Sequence, residues 1–242
     1  MLAVEPPDSE LEKLRPRIPR DVLLVLLPAA LSLTFMQYYG LARHFSLYFP
    51  DAGANEGQRE LFQLLWWAGA TWTGYFIVPA LLIWMQGKKL SDFGLRRPAG
   101  GTHLWLYAAL FLGAVPFLIA ASARDNFLEM YPFYRHALEY PAYWAIFEVF
   151  YLLTFVTVEF FFRGFLVFGL ERRFGDSAVL VAALPYCMIH FGKPMPETLA
   201  AIVGAVVLGT LALRTRSIYG GVVVHQLVAI TMDVLALWRS GT

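Results

Sequence analysis

Seven apolar runs, near residues 22–42, 62–86, 103–123, 142–170, 177–192, 197–213 and 218–238, leave this chain few ways to fold. Most approach the ~20 residues that carry a helix across the hydrocarbon of a bilayer. None shows strand punctuation, and an unpaired backbone is not tolerated in lipid. The runs predict an all-α fold, a polytopic transmembrane helical bundle of about seven spans. The fourth run is long enough to tilt or protrude, and the short fifth and sixth should lean on their neighbours. Residues 1–21 read as a cytoplasmic tail and 22–242 as a single integral membrane domain. Composition supports this: 58% of the residues are hydrophobic and 15% charged, against roughly 25% charged in a soluble domain.

Lysine and arginine set the orientation. One set of loops holds twelve of them: Lys13, Arg15, Arg17, Arg20, Lys88, Lys89, Arg96, Arg97, Arg172, Arg173, Arg214 and Arg216. The alternate set holds six: Arg43, Arg59, Arg124, Arg135, Lys193 and Arg239. That bias predicts a cytoplasmic N-terminus. The acids and bases of the first residues do not form the basic region of a secretory signal, so the first helix should be retained. Localisation follows as integral and multi-pass, in the plasma (inner) membrane if the source is bacterial. A formal charge of +1 gives no footprint for nucleic acid. Cys187 is the only cysteine, which excludes an internal disulfide and a multi-cysteine zinc site.

Chemistry enters with the charges inside the runs. Glu159 and Arg163 lie four residues apart among phenylalanines, in the order that favours a helical ion pair. Each would cost roughly 2.5–3.5 kcal/mol at the centre of a membrane helix. Two readings are open: a self-neutralising pair that pins one helix, or part of a site. His190 and His225 lie in two later runs, whereas His44, His103 and His136 fall at segment ends and read as solvated or interfacial. At ~1.5 Å per residue from the cytoplasmic ends, Glu159, His190 and His225 lie about 16, 20 and 11 Å deep. These depths bracket the bilayer midplane, so the three can converge. A buried carboxylate with two imidazoles is what activation of a water requires.

The order Glu159–Arg163-Gly164, then Tyr186…His190, then His225, resembles the CAAX protease and bacteriocin-processing family, also called the abortive-infection family. The resemblance spans about residues 90–238. It implies a multi-span intramembrane endopeptidase, glutamic or metallo, acting on a membrane-associated peptide or protein. It further implies Glu159, His190 and His225 as catalytic residues, with Arg163 and Tyr186 in support. The cofactor is then none or one divalent metal, zinc for instance, held by the same Glu159, His190 and His225. The family's motifs are Glu-Glu-xxx-Arg, Phe-xxx-His and His-xxx-Asn. Here Val158 stands at the first glutamate, Ala229 at the asparagine and Tyr186 at the phenylalanine.

Glu148 and Asp233 are substitute acids for the missing carboxylate, each with a simpler reading as a paired or snorkelling interfacial residue. Two other functions stay open beside the protease. One is a non-catalytic scaffold or immunity protein on the same fold. The other is a haem protein ligated by His190 and His225.

Overall fold

The computed structural model describes residues 18–98 and 104–241. His103 and nearly all of the tail at 1–21 lie outside the described residues. Among the described residues the chain is helical throughout, with no strand. Six helical stretches are long and apolar enough to cross a membrane: Arg20–Gly40, Glu56–Met85, Leu104–Ala121, Pro141–Met188, Met195–Thr215 and Tyr219–Ser240. The protein is an integral, multi-pass membrane protein whose surroundings are lipid.

The first stretch is α1 (Arg20–Phe35), which runs on through a π-helical turn, Met36–Gly40. A short α2 (Ala42–Tyr48) comes next, and here His44 departs from the expected solvated role. It is buried, and its Nδ1 accepts from the Leu41 N–H, satisfying a helix-end donor. The second stretch comprises α3 (Glu56–Trp72), a π turn at Thr73–Ile77 and α4 (Val78–Met85). It starts six residues before the apolar run because Asn55 caps it, accepting from Gln58 N at 2.8 Å. The third, α5 (Leu104–Ala121), is barely covered by protein. Short α6 (Asp125–Leu128) leads to the fourth stretch.

That stretch carries 48 residues from Pro141 to Met188, about 72 Å if it were one straight helix. It is not straight. It begins as α7 (Pro141–Glu159), with proline at N1 where a missing N–H costs nothing. It continues as a nine-residue π-helix, Phe160–Phe168, and ends as α8 (Gly169–Phe174). Gly175, at φ +54, then turns the chain, and α9 (Ala178–Met188) packs back along the π segment. The rings of Phe162 and Tyr186 meet at 5.0 Å, although 24 residues separate them. The seven expected runs therefore each have a helical counterpart. The fifth, at 11 residues, reaches only ~16 Å and is too short to cross the hydrocarbon. The last two are α10 (Met195–Thr215) and α11 (Tyr219–Ser240).

The π segment is the axis of the bundle. Every residue from Phe160 to Val167 is buried, as expected of a helix enclosed on all sides. Phe161 stacks on Tyr75, and Phe160 tilts against Phe76. Lipid tails are as apolar as these rings, so close packing holds the axis more than exclusion from water does. Glycines admit the neighbours. A Cβ at Gly164 would strike the Phe93 carbonyl at 2.7 Å, and one at Gly209 would strike Val179 at 2.8 Å.

Candidate active site

Glu159 closes α7 and Arg163 lies one turn on, inside the π segment. Each is 1% exposed, and they form an ion pair with Nη1 and Oε1 3.2 Å apart. From α11, His225 brings Nδ1 to within 2.7 Å of the same Oε1. The two helices come this close because residue 221 is glycine: the Glu159 Oε2 atom fills the space where a Cβ would stand. Burying two charges is costly unless each is paired, and here one carboxylate faces both a guanidinium and an imidazole.

Tyr186, from α9, joins the two histidines. Its hydroxyl lies 2.8 Å from His225 Nε2. Its backbone carbonyl accepts from His190 Nδ1, also at 2.8 Å. That carbonyl is free to do so because helical pairing loosens at the end of α9, where His190 N bonds to Cys187 O. The His225 nitrogen beside the carboxylate carries the proton, so Nε2 accepts from the tyrosine O–H. Phe155 stacks on the His225 ring at 5.5 Å, and the Arg163 guanidinium lies 4.1 Å from the centre of the Tyr186 ring. Both nitrogens of His225 are thus engaged. His190 keeps Nε2 open, with no hydrogen bond to it among the described residues.

Beside this cluster lies a cavity of about 1220 Å³. His190, His225, Tyr186, Val158 and Ala229 line it. Glu159 does not, being enclosed between α7, α11 and Arg163. The structure thus brings Glu159, Arg163, His225, Tyr186 and His190 into one connected cluster, with Glu159 reaching His225 and not the cavity. Glu148 and Asp233 meet elsewhere. They interact electrostatically with each other, and Asp233 Oδ1 accepts from Phe133 N at 3.4 Å. Asp233 is only 1% exposed.

The stretch 140–231, from the start of α7 through most of α11, matches the family model for type II CAAX prenyl endopeptidases, Rce1-like. This segment is similar to that family. The match is narrower than the expected 90–238, but it contains Glu159, Arg163, Tyr186, His190 and His225. No curated protein and no solved structure matched the chain.

The residues of this segment do not fit a metal as they are arranged. Glu159 is spent on Arg163 and His225, and His225 has no nitrogen free. Among the described residues, no three of His, Cys, Asp and Glu converge as a metal site. The same engagement of His225 speaks against ligation of haem iron by the two histidines. Sequence reasoning missed a polar part of the cavity wall, where Lys193 Nζ lies 2.6 Å from Glu197 Oε1 and 3.2 Å from the Tyr131 hydroxyl. Lys193 and Glu197 at i,i+4 were its only trace.

Proposed function

We propose that the chain is an intramembrane endopeptidase of the CAAX-processing type in which His190 takes the proton of the attacking water. Glu159, paired with Arg163, acts on the site only by holding His225. The observation that carries this reading is the state of His190: Nδ1 is fixed on the Tyr186 carbonyl, and Nε2 is the imidazole nitrogen left open beside a large cavity. A neutral imidazole whose Nδ1–H donates to a carbonyl presents a lone pair at Nε2.

The reaction starts from that lone pair. A water hydrogen-bonded to His190 Nε2 attacks the scissile carbonyl carbon, and its proton passes to Nε2 as the C–O bond forms. The tetrahedral species collapses with rupture of the C–N bond. The proton on Nε2 then moves to the departing nitrogen, which restores neutral His190. General base catalysis of this kind contributes about 10²–10⁴-fold. The apolar cavity walls suit a peptide carrying a prenyl chain, the substrate named in the family's description.

The test is cleavage by the purified protein in proteoliposomes. The probe is a quenched-fluorescent peptide with a farnesylated cysteine four residues from its C-terminus, and an unprenylated copy serves as comparison. Mass spectrometry of the products locates the cut, which this reading places after the modified cysteine. Val158 in the cavity wall favours a second reading, a non-catalytic scaffold or immunity protein. No cleavage of either peptide would select it.

A further inference from the structure

Tyr186 touches both histidines through different atoms, its carbonyl holding His190 and its hydroxyl reaching His225. Only the first contact survives if tyrosine becomes phenylalanine, so the hydroxyl has a separable role. Tyr186 lines the cavity, and the ring that carries the hydroxyl lies 4.7 Å from the His190 ring. Water attack at His190 would leave negative charge on a carbonyl oxygen close by. That charge needs a donor already in place.

The threonine hydroxyls in this wall are committed to backbone carbonyls. Thr154 donates to the Tyr151 carbonyl at 2.6 Å and Thr71 to the Trp67 carbonyl at 2.8 Å. The Tyr186 O–H rests on an imidazole nitrogen, a weaker acceptor than an oxyanion. Two features prepare it to donate. The chain Arg163–Glu159–His225 fixes the hydroxyl in direction, and the Arg163 guanidinium against the ring face withdraws electron density from the phenol.

We propose that the Tyr186 hydroxyl is the catalytic hydrogen-bond donor to the oxyanion formed from the substrate carbonyl. The inference rests on the endopeptidase reading above. No covalent bond to Tyr186 forms or breaks. Its hydrogen bond shifts from His225 Nε2 to the oxyanion as the C–O bond forms, and returns when the C–N bond breaks.

The experiment compares wild type, Tyr186→Phe and Tyr75→Phe as full-length proteins in proteoliposomes with the farnesylated peptide. Tyr75 lines the same cavity but packs on Phe161 and Phe162 and bonds to neither histidine. Loss of an oxyanion donor lowers kcat by about 10²–10³. The expected result is that fall for Tyr186→Phe with KM within about threefold, and a change under about twofold for Tyr75→Phe. A peptide phosphonate, which mimics the tetrahedral oxyanion, should lose affinity in step with kcat/KM. If wild type cleaves and Tyr186→Phe keeps its kcat, the proposal is overturned and the endopeptidase reading stands. If wild type cleaves nothing, both fall. Should Tyr186→Phe fail to fold, Tyr186→3-fluorotyrosine retains both contacts and alters donor strength. A changed kcat then supports the role, and an unchanged one overturns it.

Discussion

Val158 and Glu159 are neighbours in sequence that face different compartments. Val158 lines the cavity with the two histidines, whereas the Glu159 carboxylate is enclosed against Arg163 and His225. Consecutive residues on a helix point ~100° apart, so a carboxylate at 159 cannot also occupy the face of 158. That geometry turns Glu159 from a base into the anchor of a network.

The anchor should be visible as a coupled pair. Glu159→Gln keeps the shape and leaves the buried guanidinium without its counter-charge. Such single losses cost about 3–5 kcal/mol. Arg163→Met should cost a similar amount, and the double variant less than the sum of the two. Equilibrium unfolding in detergent micelles measures all three. Strict additivity would contradict the pairing.

Gly221→Ala should be among the most damaging glycine substitutions, because its Cβ would overlap Glu159 Oε2. Overpacking of this kind costs about 1–3 kcal/mol and would push the carboxylate off His225. Gly113→Ala on α5 is the control, since a Cβ there meets nothing within 4 Å. It should be neutral or slightly stabilising through helix propensity. Thermal midpoints of the two variants separate the cases, and equal midpoints would count against the close approach.

The loop at 136 should respond to pH. The hydrogen bond from His136 Nδ1 to Glu60 Oε2, at 2.8 Å, raises the imidazole above its ordinary 6.5. A raised folded-state value means the paired form contributes fully below about pH 6.5. That contribution is lost as pH climbs through the raised value. Thermal midpoints of wild type should therefore fall over this window, and those of His136→Gln should be flatter. Parallel curves would remove His136 as the cause.

The charge bias predicts sidedness. In a Cys187→Ser background, Glu139→Cys should react with a membrane-impermeant maleimide added to intact cells. Lys88→Cys should react only after permeabilisation. Both side chains are exposed, so accessibility within the protein does not confuse the result. The reverse labelling would invert the orientation.

The helices were legible because lipid leaves the backbone no alternative, and apolar run length tracked nearly every boundary. The second run begins six residues after its helix does, and the run at 177–192 also departs. It continues in hydropathy beyond Met188, but the helix stops there, before Gly192 at φ +93 and Pro194. Glu159 and Arg163 were legible as expensive charges that need a partner, and depth counting put Glu159, His190 and His225 within reach of one another. Direction was harder to read. The π segment changes the angular step just beyond Glu159, so a face projected at 3.6 residues per turn misplaces the side chains C-terminal to it. The Tyr186–His225 bond crosses between α9 and α11 and leaves no spacing to detect. Glu148 and Asp233 were each read on their own helix. Their burial against each other arises from the packing of α7 on α11.

The most direct measurement is single-turnover cleavage of the farnesylated peptide by wild type, His190→Gln and Glu159→Gln in proteoliposomes. With His190 as the base, His190→Gln should lose about 10²–10⁴-fold of the chemical step. Glu159→Gln, at temperatures where it remains folded, should lose less, since it acts through His225. Wild-type rates from His190→Gln, or a complete loss confined to Glu159→Gln, would contradict that assignment.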